Sequence, residues 1–214
     1  MTLLRIQPLE DRIVFDGAIA HDVSAPPQQT AAPAASHAEP AADGTSSLPE
    51  KNVLVISHAV ADAAALEKAA SENTIVVGFD SNTSLSELYS QINAALNGTK
   101  AATIAFATDG AKGNFDLVKG VRVSSETITA SPENRDLINF WNQVASSLVA
   151  NGSIDILGCN VASGDAGLQF LTQFDSLINS NGTDIAINAS TTFTGSSSMG
   201  GDWILEYSSK SSMS

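Results

Sequence analysis

After residue 50 the chain repeats one pattern, a short continuous apolar run followed by a longer amphipathic stretch, and this alternation constrains the fold more than any other feature. It is the signature of successive βα units. The runs are Val53–Ser57, Thr74–Phe79, Ala102–Thr108, Ile154–Gly158 and Asp184–Asn188. None alternates strictly with polar residues, as expected of parallel strands covered on both faces. The spacing between them predicts helices over 60–72, 84–97, 134–151 and 164–181. Three of these are expected to stop at Asn97-Gly98, Asn151-Gly152 and Asn181-Gly182, where the left-handed conformation is accessible. Ser84 with Glu87 three positions on forms a capping box, and Asn134 or Ser163 is positioned to cap another helix. Leu137, Phe140, Trp141, Val144 and Leu148 lie at helical spacing, the pattern of a core face.

Two pieces depart from the alternation. Gly110 to Ser125 has short alternating runs and predicts a small hairpin beyond the third strand. Trp203–Tyr207 alternates after Gly200-Gly201 and predicts an edge strand, for which an antiparallel direction is open. The expected architecture is a three-layer α/β sandwich around a mainly parallel sheet of five to six strands, spanning residues 51–208. No internal repeat is visible.

Proline marks the boundary of this domain, because six of the seven prolines precede residue 51. Residues 21–50 hold eight alanines and five prolines, too few branched and aromatic side chains to offset ordering entropy, and read as an extended linker. Residues 1–20 carry a short apolar segment bracketed by charges, and 209–214 form a short tail.

Charge narrows the function. Ten basic residues face 23 acidic ones, a formal net charge of −13, which repels phosphate backbones and anionic lipid headgroups. Nucleic-acid and membrane-surface partners are not expected. A single cysteine, Cys159, excludes an internal disulfide framework, and with three scattered histidines no metal-ligand spacing appears. No metal or cofactor is expected. No apolar run reaches 18 residues, and the first 15 residues interrupt any secretory core with arginines, acids and Pro8, so neither a membrane span nor a cleaved signal is expected.

In an open parallel sheet, ligands bind beyond the carboxyl ends of the strands, near the topological switch point. The residues there are Ser57 and His58, Asp80, then Thr108, Asp109 and Gly110, then Cys159 and Asn160. Each also has a bland reading, since polar residues end most strands and an isolated cysteine is commonly an inert apolar residue. Gly110-Ala111-Lys112-Gly113 lacks phosphate-loop spacing, and the Asn-Gly-Ser/Thr triplets are explained by turn chemistry.

The stretch Ile156-Leu157-Gly158-Cys159-Asn160-Val161-Ala162-Ser163-Gly164-Asp165-Ala166-Gly167, with Ser190-Thr191-Thr192-Phe193-Thr194-Gly195 and Gly200-Gly201-Asp202-Trp203-Ile204-Leu205-Glu206, resembles the bacterial domain of unknown function 4347 over residues 53–207. Leu9 to Ala18 is similar to the LEPR-type motif that opens very large exported surface proteins, with Asp11 where that motif usually has proline. The resemblance implies an extracellular or cell-surface, adhesin-type setting, with a protein or surface partner and export by a route other than an N-terminal signal. It also implies an arrangement like the caspase, clostripain and gingipain peptidases, with strand order 2-1-3-4-5 and a His-Gly/Cys dyad. Here the cysteine falls on Cys159 and the His-Gly pair on Asp109-Gly110, so the histidine is missing.

That exchange has a chemical consequence, because an imidazolium beside a sulfur favours the thiolate and a carboxylate favours the neutral thiol. The first expectation is therefore a degenerate, non-catalytic module acting in binding or as a structural head. The alternative is a cysteine peptidase that pairs Cys159 with His58, cutting its own linker. Two strand positions separate them, roughly 9–10 Å at ~4.8 Å per neighbour. The helix start after Ser163 would also favour a thiolate. A third expectation makes the domain a passive spacer and the N-terminal segment the part a partner recognises.

Overall fold

The computed structural model describes residues 51–61, 63–197 and 200–210. The LEPR-type segment and the linker lie outside the described residues, as do residues 211–214. The apolar runs become β1 (Lys51–Ser57), β2 (Thr74–Phe79), β3 (Ala101–Ala107), β7 (Leu148–Leu157) and β8 (Ala186–Ala189), all mutually parallel where they pair. A short β9 (Tyr207–Ser208) adds antiparallel to β8, giving one six-stranded sheet in the order β2-β1-β3-β7-β8-β9. The five long strands thus follow the order 2-1-3-4-5, and β1 and β3 flank the point where it reverses.

Helices α1 (Ala63–Ala69), α2 (Leu85–Leu96), α3 (Arg135–Ser146) and α4 (Gly164–Ile178) connect them. Alternate strand residues point to opposite faces. Val53, Val55, Ile104, Phe106, Ile154 and Ile156 join the buried side chains of α2, α3 and α4 in one core. Leu54, Ile56, Ala105 and Ala107 meet Leu66 of α1 and Leu205 on the other face. The sheet is therefore the middle of three layers, with three helices on one side and one short helix on the other.

Several expected boundaries shift. The capping box at α2 is present, Ser84 accepting from the Glu87 N–H while Glu87 accepts from the Ser84 N–H at 2.8 Å. Asn97 closes that helix at φ 48°. By contrast, Asn134 and Ser163 make no side-chain cap, the Asn134 amide donating instead to the Glu126 and Thr129 carbonyls. The third helix ends at Ser146 and not at 151, because Leu148 pairs with Ala101 at the start of β7 and is buried there. Asn151, at φ 62°, then marks a register shift inside that strand instead of a helix stop. α4 likewise ends at Ile178, closed by Asn179, whose side chain accepts from the Ile185 N–H.

The hairpin is a three-stranded sheet of its own, β4 (Gly110–Ala111), β5 (Asn114–Asp116) and β6 (Arg122–Ser124). The expected edge strand at 203–207 is displaced to Tyr207–Ser208. Phe193, Trp203 and Ile204 stay exposed, so alternation in 203–207 does not report a buried face.

One carboxylate sits inside the thinner side of the sandwich. Asp155 on β7 is 8% exposed and accepts from the Asn188 amide at 2.7 Å across to β8. Burial raises its pKa above the ordinary carboxylate range, against the hydrogen bonds from Asn188 and Ser153. A raised folded-state pKa means that the unfolded chain loses this proton first. Asp155 is thus neutral to stability at low pH and weakens the fold as pH climbs from the unfolded value towards the folded one. Asp155→Asn keeps the acceptor for Asn188 and should gain about 1–3 kcal/mol at pH 7, the scale of an undercompensated buried polar group. Urea unfolding of both proteins at pH 4 and 7 checks this, and an unchanged or lower midpoint at pH 7 would contradict it.

Candidate functional site

The carboxyl ends of β1, β2 and β3 and the β4–β6 hairpin enclose a cavity of about 460 Å³. Ser57, Asp80, Thr108 and Asp109 contribute the strand-end wall, and Asp116 to Arg122 the hairpin wall. It lies at the β1/β3 switch point, where an open parallel sheet leaves a crevice between diverging helical connections. The hairpin is fastened there by the Asp116 N–H donating to the Asp109 carbonyl at 2.8 Å and by the Thr108 hydroxyl donating to the Asp116 carbonyl. Asp116 also pairs with Arg122 at 2.8 Å, an exposed ion pair that raises the guanidinium pKa. Of the eight residues expected at the strand ends, the cavity gathers Ser57, Asp80, Thr108 and Asp109. His58, Gly110, Cys159 and Asn160 do not line it.

His58 turns outward. Its Nε2 lies 3.5 Å from Glu67 Oε1 on α1, and its ring lies against Gly78 of the edge strand β2, where a β-carbon would fall 2.5 Å from Nε2. Cys159 follows β7, three strand positions from β2, roughly 14 Å at ~4.8 Å per neighbour. The expected two-strand reach between His58 and Cys159 is therefore not realised in this structure: the imidazole goes to the edge strand and away from the thiol.

Cys159 has another partner. Its Sγ donates to the Thr194 carbonyl at 3.6 Å, and the Thr194 hydroxyl donates to the Gly158 carbonyl at 3.3 Å. The next turn continues the same seam. Asn160, at φ 59°, donates its N–H to the Thr192 carbonyl at 2.7 Å, and the Ala162 N–H donates to the Ser190 carbonyl at 2.9 Å. Gly110 packs on this turn as well: a β-carbon there would meet Gly158 and the Cys159 nitrogen at 2.9 and 3.0 Å. The glycine of the expected His-Gly pair is accounted for by this close approach alone.

The C-terminal motif holds the other side of the seam. Asp202 donates its N–H to the Phe193 carbonyl, accepts from the Gly195 N–H through its own carbonyl, and accepts from the Ile204 N–H through Oδ1. Glu206 Oε2 accepts from the Thr191 N–H at 2.7 Å and the Ser190 hydroxyl, and Oε1 from the Thr192 hydroxyl. Burial alone would raise the Glu206 pKa, but these hydrogen bonds outweigh it and hold the carboxyl below its usual range. Asp202 and Glu206, which sequence reasoning did not treat as functional, therefore build the loop whose Thr194 carbonyl accepts from the Cys159 thiol. Both lie within Gly200–Glu206, but nothing in that stretch reveals their partners at 190–195.

Among the described residues, no group of three or more His, Cys, Asp and Glu side chains is placed to hold a metal ion, and no helix is long and apolar enough to cross a membrane. No curated protein matches the chain. Among solved structures, a short-chain alcohol dehydrogenase of Burkholderia multivorans aligns at 12% identity and TM-score 0.35, over 65% of this chain and 81% of the other. A short-chain dehydrogenase/reductase of the same organism aligns at 13% and 0.32, over 65% and 77%. A short-chain dehydrogenase family protein of Francisella tularensis aligns at 13% and 0.29, over 60% of each chain. Likenesses this weak carry nothing about fold or chemistry. The family model of the domain of unknown function DUF4347, in contrast, matches residues 53–214, and the chain belongs to that family.

Proposed function

We propose that the domain is a degenerate, non-catalytic caspase-like module of an exported bacterial surface or adhesin-type protein, acting by binding through the cavity at the β1/β3 switch. The observation that carries this reading is the hydrogen bond from Cys159 Sγ to the Thr194 carbonyl. A nucleophilic thiol has to be aimed at a substrate and relieved of its proton by a nearby base. Here the proton faces a carbonyl, which removes none, and the imidazole is engaged with Glu67. Asp109, at the position of the family's expected histidine, lines a cavity that Cys159 does not line, so carboxylate and sulfur serve different places.

The export setting and surface partner are carried into this proposal by the LEPR-type and DUF4347 resemblances together. The acidic charge fits a protein partner better than a nucleic acid or an anionic membrane. Pairing Cys159 with His58 for peptide cleavage would require the imidazole to leave Glu67 and cross the sheet edge.

Purified full-length chain incubated with a mixed peptide library should release no new termini and leave its own residues 21–50 intact, as read by mass spectrometry. Cys159→Ala should behave identically. Cleavage by the wild type that disappears in Cys159→Ala would overturn the proposal in favour of the peptidase.

A further inference from the structure

We propose that the cavity at the β1/β3 switch receives the free amino terminus of a peptide. The inference rests on the reading of this cavity as the working site, and goes beyond it by naming the ligand's chemistry.

The charges of the cavity reduce to a simple set. Asp116 is neutralised by Arg122 through two contacts of 2.8 and 3.3 Å, which removes both from the account. Asp80 uses one oxygen, Oδ1, to accept from the Asn82 N–H at 2.7 Å, and among the described residues the other has no partner. Among the described residues, no hydrogen bond or ion pair engages the Asp109 carboxylate. The strand-end wall thus presents two exposed carboxylates with oxygens that no described residue engages.

Ser57 adds an independent demand. It is 7% exposed, lines the cavity, and accepts from the Ala59 N–H at 3.3 Å, while its own proton has no acceptor among the described residues. A buried hydroxyl without an acceptor is costly, so a ligand that brings an oxygen there is rewarded. Phe79 and Leu117, 3% and 4% exposed, line the same space with apolar surface. Lys119 lines the same space on its hairpin side.

A ligand that satisfies this set carries an ammonium for Asp80 and Asp109, a carbonyl oxygen close to it for Ser57, and an apolar group for Phe79. The first residue of a peptide carries all three on adjacent atoms, and its following carbonyls suit Lys119. A polyamine has the charge but no acceptor for Ser57. A divalent cation asks for more oxygen ligands than two uncommitted carboxylates supply, beside a lysine that repels it. The volume, about 460 Å³, lies within the usual range of small-ligand sites and admits one or two residues.

Calorimetric titration of the full chain with Ala-Phe amide, N-acetyl-Ala-Phe amide and spermidine tests the assignment. Ala-Phe amide should bind saturably, and acetylation, Asp109→Asn and Asp80→Asn should each weaken it by about tenfold or more, as loss of a charge-assisted contact does. Spermidine should compete poorly. Circular dichroism shows that each variant is folded, and two carboxylate variants keep the test alive if one is not. Equal binding of the acetylated peptide, unchanged binding in both variants, equal competition by spermidine, or no saturable binding at ~10 mM would overturn the proposal. Cys159-dependent cleavage would overturn the non-catalytic reading instead, whatever the titration shows.

Discussion

Trp141→Ala is expected to remove about 3–5 kcal/mol of stability, against a total of about 5–15 kcal/mol for an ordinary domain. Trp141 is wholly buried and is the side chain on which separate elements converge. Its ring meets Phe106 of β3 at 5.1 Å, Phe115 of β5 at 6.0 Å, Phe140 of α3 at 5.1 Å and Phe174 of α4 at 4.8 Å, all edge to face. Such pairs add about 0.5–1.5 kcal/mol each beyond area burial. Truncation leaves a cavity ringed by aromatics from four elements, which cannot all collapse into it. The indole N–H has no acceptor among the described residues, so Trp141→Phe deletes an orphan donor along with the lost volume and should cost less than about 1.5 kcal/mol. Urea unfolding followed by far-ultraviolet circular dichroism separates the two variants. A loss below about 1 kcal/mol for alanine would show that the core does not depend on this cluster. Because Phe115 leans on the same ring, the hairpin wall of the cavity should loosen with it, and ligand binding should weaken before global unfolding.

Much of this fold is legible in residue order because its central strands are buried on both faces. Val53–Ser57 and Thr74–Phe79 are apolar runs with clear ends, and both are strands within two residues of where periodicity places them. The capping box of α2 is equally local, made by Ser84 and Glu87 alone. Legibility fails where a distant partner decides. Leu148 continues the helical spacing of α3, yet it is claimed by Ala101 across the sheet. Asn134 has the chemistry of a cap, but the Glu126 and Thr129 carbonyls compete successfully for its amide. Trp203 to Tyr207 alternates like a strand, but the Asp202 backbone and the Glu206 carboxylate tie this segment to residues 190–195, seven to sixteen residues earlier.

The site divides in the same way. Topology places Ser57, Asp80, Thr108 and Asp109 at one switch point, and those four follow from strand ends alone. His58 and Cys159 are also strand-end residues, but what each faces depends on side-chain partners, Glu67 for one and Thr194 for the other. Glu67 carries no mark in the sequence, and Thr194, although inside the Ser190–Gly195 stretch, carries none that names it as the partner of the thiol. The sequence predicts the hairpin but not that it walls the cavity, since the contact that folds it back, Thr108 to the Asp116 carbonyl, pairs a strand-end residue with one inside the hairpin.

Gly167→Ala sets helix propensity against packing, and packing should win. Alanine in a helix interior is favoured over glycine by about 1 kcal/mol, so propensity alone makes this a stabilising change. Yet a β-carbon at 167 would fall onto the carbonyl carbon of Ala162, with the Ala162 and Val161 oxygens at 2.6 and 2.8 Å. These are backbone atoms of the turn after Cys159, pinned by the Asn160 and Ala162 N–H groups to the Thr192 and Ser190 carbonyls. Neither side has a flexible side chain to give way, so α4 must lift or the turn must detach from the loop. The net cost should be at least about 2 kcal/mol, in the range of overpacked interiors. Detachment would also free the Cys159 sulfur from the Thr194 carbonyl, so iodoacetamide should label the folded variant faster than the wild type. Gly164→Ala makes a useful comparison, because nothing lies within 4 Å of its β-carbon position and only its φ of 67° opposes the change. That variant should lose about 1–2 kcal/mol from the left-handed conformation with no change in labelling. Equal stability of Gly167→Ala and wild type would mean that the turn yields freely, and with it would fall the view that this glycine clamps the thiol's seam.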